Sequence, residues 1–240
     1  MISEQGNETD FGGVNMIYVM SDLHGCYDKY KDMLKKINLN ENDTLYILGD
    51  IVDRGDGGIK ILIDMLNRKN VVPLLGNHDY VAFSVLKYLI KKTKPDWWDE
   101  IRADWVKDGG IVTEKAFMEL DENEQKTVLN FITNFDVYET VKVGGNKFLL
   151  SHAGIDNYEN GKAFDEYELY DFITGRMDYD KVYSEDFYLV SGHTPTELID
   201  KNYAGRIYKK NKHIAIDCGA VFGYPLGCIC LDNMQEFYVD

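Results

Sequence analysis

Cysteine, histidine and basic residues are all scarce in this chain, and no long apolar run occurs. The four cysteines, Cys26, Cys218, Cys228 and Cys230, in 240 residues are too few for a disulfide framework and fit a reducing, cytoplasmic setting. Cys228 and Cys230 are two residues apart, which on a strand puts both thiols on one face. No further ligand stands at matching spacing, so they read as buried apolar groups and not as a zinc site. No segment approaches the ~20 apolar residues of a membrane span. The first 15 residues carry Glu4, Glu8 and Asp10 without a basic stretch, so they do not read as a signal peptide. They read as a flexible leader, with one domain over 16–240. Lys and Arg number 26 against 41 Asp and Glu, a formal charge of −15. That balance argues against nucleic-acid partners and against anionic membrane surfaces. It also predicts long-range repulsion of anionic substrates.

What is present is an ordinary globular composition, 45% hydrophobic and 28% charged, ample for a sizeable core. There is neither an internal repeat nor a low-complexity linker. Short apolar runs at Met16–Met20, Thr44–Leu48 and Val71–Leu75 read as buried strands, with Pro73 weakening the third. Helical spacing follows each of them, over Tyr27–Ile37, Gly58–Arg68 and Asp79–Lys92. This β-α-β-α-β-α order predicts parallel strands with right-handed crossovers. From about 93 to 135 the pattern changes to a helical cap, with Trp97, Trp98 and Trp105, a Gly109-Gly110 break, and a Glu-rich helix near Glu122–Ile132. The tryptophans read as cap core, since the stretch lacks the basic residues of a nucleic-acid groove. The acidic Asp121–Glu124 reads as a helix N-terminus. Closely spaced short strands follow, near Val137–Val143, Phe148–Ser151, Tyr188–Ser191, Ile214–Asp217, Leu226–Leu231 and Glu236–Val239, which predicts antiparallel or mixed pairing. A two-sheet sandwich with helices on its outer faces accommodates both halves.

Five segments carry chemistry, and all have one form: a buried strand running into a polar, Gly-bearing loop. They are Ser21-Asp22-Leu23-His24-Gly25, Gly49-Asp50-Ile51-Val52-Asp53-Arg54-Gly55, Gly76-Asn77-His78-Asp79, Ser151-His152-Ala153-Gly154 and Ser191-Gly192-His193-Thr194-Pro195. Ligands of open α/β sheets bind outside the carboxyl ends of the strands, so these loops converge on one crevice. Carboxylate, imidazole and amide oxygen without thiolate suit Mn, Fe or Zn. Six such groups exceed the needs of one tetrahedral ion. Two ions sharing a carboxylate fit better, and such pairs clamp in-line displacement at phosphorus. Any one motif is weak evidence. Together they are regular, Asp50 following His24 by 26 residues and Asn77 following Asp50 by 27, and four of the five histidines fall within them.

The set resembles the calcineurin-like metallophosphoesterases, in particular the phosphoprotein phosphatase branch, which holds bacterial and phage Ser/Thr phosphatases and symmetrical dinucleoside tetraphosphatases. The resemblance runs from about Met16 to the C-terminus and implies an αββα sandwich of two mixed sheets flanked by helices, with a helical insertion. Residue by residue, it implies that Asp22, His24 and Asp50 hold one divalent ion, and that Asp50, Asn77, His152 and His193 hold a second. A hydroxide bridging the two would attack phosphorus directly. It makes His78 the general acid for the leaving oxygen, oriented by Asp53, with Arg54 and Asn77 binding substrate. Arg176 stands where related phosphatases carry a second phosphate-binding arginine. Mn²⁺ is the expected metal, with Fe and Zn as alternatives. Ser21 replaces a usual Gly and Asp79 a usual Glu; neither is a ligand position, though Asp79 bears on how the neighbouring histidine is held. His213 and the Asp217-Cys218-Gly219 turn read as structural.

The implied activity is hydrolysis of phosphate monoesters, in phosphoserine or phosphothreonine proteins or in small phosphate esters. The alternative is a symmetrical dinucleoside tetraphosphatase, for which the chain is shorter than expected. A catalytically dead scaffold predicts a missing ligand or acid, and none is missing. The ion ligands include only two carboxylates against two divalent ions, so the loaded site is positive despite the charge of the whole chain.

Overall fold

The computed structural model describes residues 15–91 and 93–240. The expected leader therefore lies outside the described residues, apart from Asn15. The strand-helix alternation at the start of the chain gives β1 (Ile17–Met20), α1 (Tyr27–Lys36), β2 (Thr44–Ile47), α2 (Gly58–Leu66), β3 (Val71–Pro73) and α3 (Asn77–Leu89). β1, β2 and β3 are parallel, as the pattern predicts. β3 stops at Pro73, whose nitrogen has no hydrogen to donate. The helical insertion follows as α4 (Trp98–Trp105), α5 (Ile111–Met118) and α6 (Glu122–Thr133). Asp121 caps α6, accepting from the backbone of Asn123 and Glu124, while the Glu124 side chain reaches back to the Asp121 N–H.

The second half folds as β4 (Tyr138–Val143), β5 (Asn146–Ser151), α7 (Leu169–Ile173), β6 (Tyr188–Ser191), α8 (Thr196–Ile199), β7 (Tyr208–Lys210), β8 (His213–Ala215), β9 (Leu226–Cys230) and β10 (Glu236–Val239). β7 has no counterpart among the sequence expectations. It is three residues long, two of them lysines, and lies at a sheet edge, where exposed charge discourages further pairing.

Two five-stranded mixed sheets result, in the orders β10-β9-β1-β2-β3 and β4-β5-β6-β8-β7. Each has three adjacent parallel strands extended by antiparallel pairing, through β9 and β10 on one side of the first sheet and through β4 and β7 on either side of the second. Alternation along the strands fills three packed layers. Val19, Leu48, Phe148, Leu150, Val190, Ile214 and Ile229 meet between the sheets. Met20, Leu45 and Ile47 turn the other way, toward Met33, Leu62, Leu86 and the buried Trp98 and Trp105 of the insertion. Leu149 and Leu189 pack outward against Phe172 and Ile173. Trp97, expected in the cap core, is instead 42% exposed. Cys218, Cys228 and Cys230 are buried free thiols. Among the described residues no helix is long and apolar enough to cross a membrane.

Candidate active site

Because β1, β2 and β3 run parallel, as do β5, β6 and β8, their carboxyl ends open on one edge of the sandwich. The loops that leave them are sharply turned. Six of the eleven non-glycine residues with positive φ among the described residues are Asp22, His24, Asp50, Asp53, Arg54 and His193. Such conformations cost free energy and persist where the surroundings over-determine them. Here each loop is tied to the next: the His24 N–H donates to Asp50 O (2.8 Å), Gly25 N–H to Ile51 O (2.9 Å) and Gly192 N–H to His152 O (2.8 Å).

The structure brings eight of the ten sequence-predicted residues to the wall of one pocket, with His152 and Asp53 buried behind it. Asp22, His24, Asp50, Arg54, Asn77, His78, Arg176 and His193 all line it. The Asp50 carboxylate is central: Oδ2 lies 3.4 Å from His24 Nε2 and Oδ1 lies 3.4 Å from His152 Nε2. His152 Nε2 is also 2.9 Å from Asn77 Oδ1 and 3.2 Å from His193 Nδ1. Two ligand-like clusters therefore share Asp50: His24 and His78 on one side, His152 and His193 on the other. Asp22 belongs to neither cluster. Its Oδ2 accepts from Ser21 Oγ at 2.5 Å and its carboxylate from the His193 N–H.

This donor set fits divalent ions. His24 and His152 each give the Nδ1 hydrogen to a backbone carbonyl, Val52 O at 3.0 Å and Leu48 O at 2.7 Å. Their Nε2 lone pairs are left pointing inward, as metal-binding histidines require. Burial keeps the rings neutral, pushing His24 down to about 4, His193 down to about 3 and His152 below its usual range. Burial opposes the Asp50 charge too, but His152, His24 and His78 outweigh it and hold its carboxyl well below the usual range; Asp22 shows the opposite effect. Burial, then the Asp217 and Asp50 charges, push Asp22 well above the usual range. Clustered buried carboxyls lacking a cation resist ionisation, and bound cations remove that conflict.

The catalytic candidates lie beside the candidate ion ligands. His78 Nδ1 donates to Asp53 Oδ2 at 2.8 Å. Burial opposes protonation of His78, but the Asp53 hydrogen bond and the Asp50 and Asp53 charges outweigh it and raise its pKa. Arg54 donates to His24 Nε2 at 2.5 Å and to His78 Nε2 at 2.9 Å, so its guanidinium lies over the pocket. Arg176 is exposed at the rim and donates to Thr194 Oγ1 at 2.9 Å.

Five residues escaped the sequence reading of the site. Ser21 is tied to Asp22. Asp217, expected as scaffold, is buried, faces the pocket and is pushed up to about 7 by burial. Asp108 reaches in from the insertion, 3.2 Å from Arg54 and 3.5 Å from His78 Nε2. Trp105 and Thr113 both bond to Asp53; their only signal was position on either side of the Gly109-Gly110 break. Asp79 acts differently from the expectation. It takes the Ile51 N–H at 3.0 Å and the Gly76 N–H at 3.2 Å, bracing two loops and not the His78 ring. His213, expected as structural, is buried against Tyr179 and bonded to Ser191 Oγ at 2.8 Å.

A family model for calcineurin-like phosphoesterases matches residues 16–219. The symmetrical bis(5'-nucleosyl)-tetraphosphatase of Haemophilus ducreyi is 42% identical over 140 residues, which cover 58% of this chain and 44% of that protein. The chain thus spans less than half the length of such symmetrical relatives. The asymmetrical bis(5'-nucleosyl)-tetraphosphatase PrpE of Halalkalibacterium halodurans is 27% identical over 246 residues, 90% of each chain. Chain length therefore does not separate this protein from tetraphosphatases. A crystal structure provisionally described as that of a diadenosine tetraphosphatase shares the fold, with a TM-score of 0.65 at 16% identity over 95% of this chain and 94% of its own.

Proposed function

The chain belongs to the calcineurin-like phosphoesterases, metal-dependent phosphoric ester hydrolases, and we propose that it is a phosphomonoesterase acting on phosphoserine or phosphothreonine in proteins. The carrying observation is the chemistry beside His78, where a leaving group would depart. A cleft of about 220 Å³ opens there, lined by Val81, Ile101, Trp105 and the carboxylates Asp104 and Asp108 and, among the described residues, by no lysine or arginine. Lys107 meets Asp104 from the solvent side, and Arg54 meets Asp108 from the neighbouring pocket at 3.2 Å. A dinucleoside tetraphosphate would release a polyanion toward those carboxylates. A serine or threonine hydroxyl leaves uncharged once protonated, and basic residues flanking it would complement Asp104, Asp108 and the −15 charge of the chain.

Asp22, His24 and Asp50 would hold one divalent ion and Asp50, Asn77, His152 and His193 a second. When bound, these supply Lewis acidity and an activated water at neutral pH. Mixed oxygen and nitrogen donors favour Mn²⁺, with Fe and Zn as alternatives. Arg54, with Arg176 at the rim, orients the phosphoryl oxygens through guanidinium hydrogen bonds. With the Arg54 guanidinium turned from His78 Nε2 to the phosphoryl oxygens, the protonated His78 delivers the Nε2 hydrogen to the leaving oxygen while Asp53 holds its Nδ1–H.

A second reading, dinucleoside tetraphosphatase, draws on the names of the sequence relatives and on Phe222. That ring is 59% exposed, lines the pocket 5.5 Å from the Arg54 guanidinium, and offers a face on which a nucleobase could stack. Incubating the Mn²⁺-loaded protein with a basic phosphoserine peptide and with diadenosine tetraphosphate separates the two. The first reading expects the higher kcat/KM on the peptide and a rise in diadenosine tetraphosphate turnover on Asp108→Asn. Faster wild-type cleavage of the dinucleotide would reject it.

A further inference from the structure

Asp53 is fully buried, and what holds it comes from the insertion, not from its own loop. Besides the His78 ring, Asp53 Oδ2 accepts from Trp105 Nε1 at 2.7 Å. Its Oδ1 accepts from Thr113 Oγ1 at 2.7 Å, and that same hydroxyl oxygen accepts from the Asp53 N–H at 2.9 Å. Trp105 ends α4 and Thr113 lies in the first turn of α5. In an unbroken helix, residues eight apart are separated by about 12 Å along the axis and could not meet on one carboxylate. The break between the helices removes that separation. Asp108 (φ −87°, ψ 16°) and Gly109 (φ 101°) leave helical geometry. The positive φ suits glycine, and a Cβ there would stand 2.8 Å from Arg54 Cγ. Gly110 lies flat on the Trp105 indole with no room for a side chain. Gly109 O also accepts the Arg54 N–H at 3.0 Å. One folded-back segment, Trp105–Thr113, thus grips the backbone and carboxylate of Asp53 and the backbone of Arg54.

We propose that Trp105 and Thr113 are positioning residues for leaving-group protonation: they lock the Asp53 carboxylate so that His78 presents Nε2 to the departing oxygen. This rests on the reading of His78 as the acid. A carboxylate with three side-chain donors has one favoured orientation, and outer partners of this kind fix ring tautomer and direction. Deleting the Thr113 hydroxyl leaves Oδ1 without its donor, and deleting the indole N–H leaves Oδ2 with His78 alone; either loss frees the carboxylate to turn.

The test uses two aryl substrates on the Mn²⁺-loaded protein, with metal content and melting temperature measured alongside. Phenyl phosphate has a poor leaving group that needs a proton; dinitrophenyl phosphate departs without one. Trp105→Phe keeps the ring and removes the N–H. It is expected to lower kcat on phenyl phosphate by about 10- to 100-fold, the usual range for losing an outer partner, with little change on dinitrophenyl phosphate. Thr113→Val should show the same selectivity and Thr113→Ser should restore the wild-type ratio; this pair carries the test if Trp105→Phe does not fold. Trp98→Phe is the control. It loses a comparable indole bond, Trp98 Nε1 to Val85 O at 3.0 Å, in the same insertion but away from Asp53, and should leave the substrate ratio unchanged. Equal losses on both substrates for Trp105→Phe and Thr113→Val overturn the proposal. His78→Asn separates the two levels of failure. If it is selective for phenyl phosphate and the Trp105 and Thr113 variants are not, only the positioning role falls. If it is not selective, the acid assignment falls as well.

Discussion

On the ion side of the pocket, His24, Asp50, His152 and His193 stand at the ends of parallel strands, within loops that bond to one another through the backbone. On the leaving-group side, His78 also starts from a strand end, but its partner Asp53 is oriented by Trp105 and Thr113, 52 and 60 residues away in sequence and on helices. The ion side is built by repeating one local device around a sheet edge. The leaving-group side is built once, by folding an insertion back onto a loop. Damage to the two sides should therefore differ in kind: metal affinity on one, proton delivery on the other.

The largest expected effect tests the ion side. Asp50 faces both histidine clusters, so Asp50→Asn should lose bound metal and lower turnover by at least about 100-fold, beyond the usual cost of an outer partner. Metal analysis after dialysis, paired with turnover, checks it; full metal content with full activity would remove Asp50 from the centre of the site. Next comes His78→Asn, with turnover down by about 100-fold and metal content retained. Loss of metal in this variant would erase the distinction between the two sides. A third measurement asks whether the ions set the sign of the pocket. Phosphate should bind the Mn²⁺-loaded protein well and the stripped protein poorly, because without the ions the Asp50 carboxylate, held below its usual range by the histidines around it, faces the anion with no cation between them; calorimetry showing equal affinities would refute this.

The smallest effect lies behind the site. Asp64 on α2 takes hydrogen bonds from Arg68 (2.5 Å), Lys31 (2.7 Å) and Tyr30 (2.9 Å), joining α2 to α1. Burial opposes its charge, but these partners prevail and hold it down to about 2. A depressed carboxyl stabilises the fold above its unfolded value, near 4, and that stability is lost as the pH falls through the folded value. Asp64→Asn should cost about 1 kcal/mol at pH 7, discounted for partial exposure, or ~2–4 °C. The gap to wild type should close between about pH 4 and pH 2. A gap independent of pH would assign the loss to packing, and neither side of the pocket should change its turnover.

The parallel strands, the helices between them, the cap and the loop residues with ligand chemistry were legible because each signal is local. Apolar runs, helical spacing and motif residues lie within a few positions of one another, and one β-α step recurs at nearly constant length. β7 was not legible, since a three-residue edge strand with two lysines has no periodicity to detect. Nor was the bracing of Ile51 and Gly76 by Asp79, which crosses between loops. The exposed Trp97 and the buried Trp105 look alike in sequence, and only packing separated them.

The candidate ion ligands and the candidate proton donor were legible in the chain alone, because such roles need particular donor atoms and strand ends deliver them to a common edge. How His78 and Asp53 are held depends on contacts that form only in the folded chain. The angle of the α4–α5 break places an indole N–H and a threonine hydroxyl on one buried carboxylate, and that coincidence in space leaves no spacing in the chain to read.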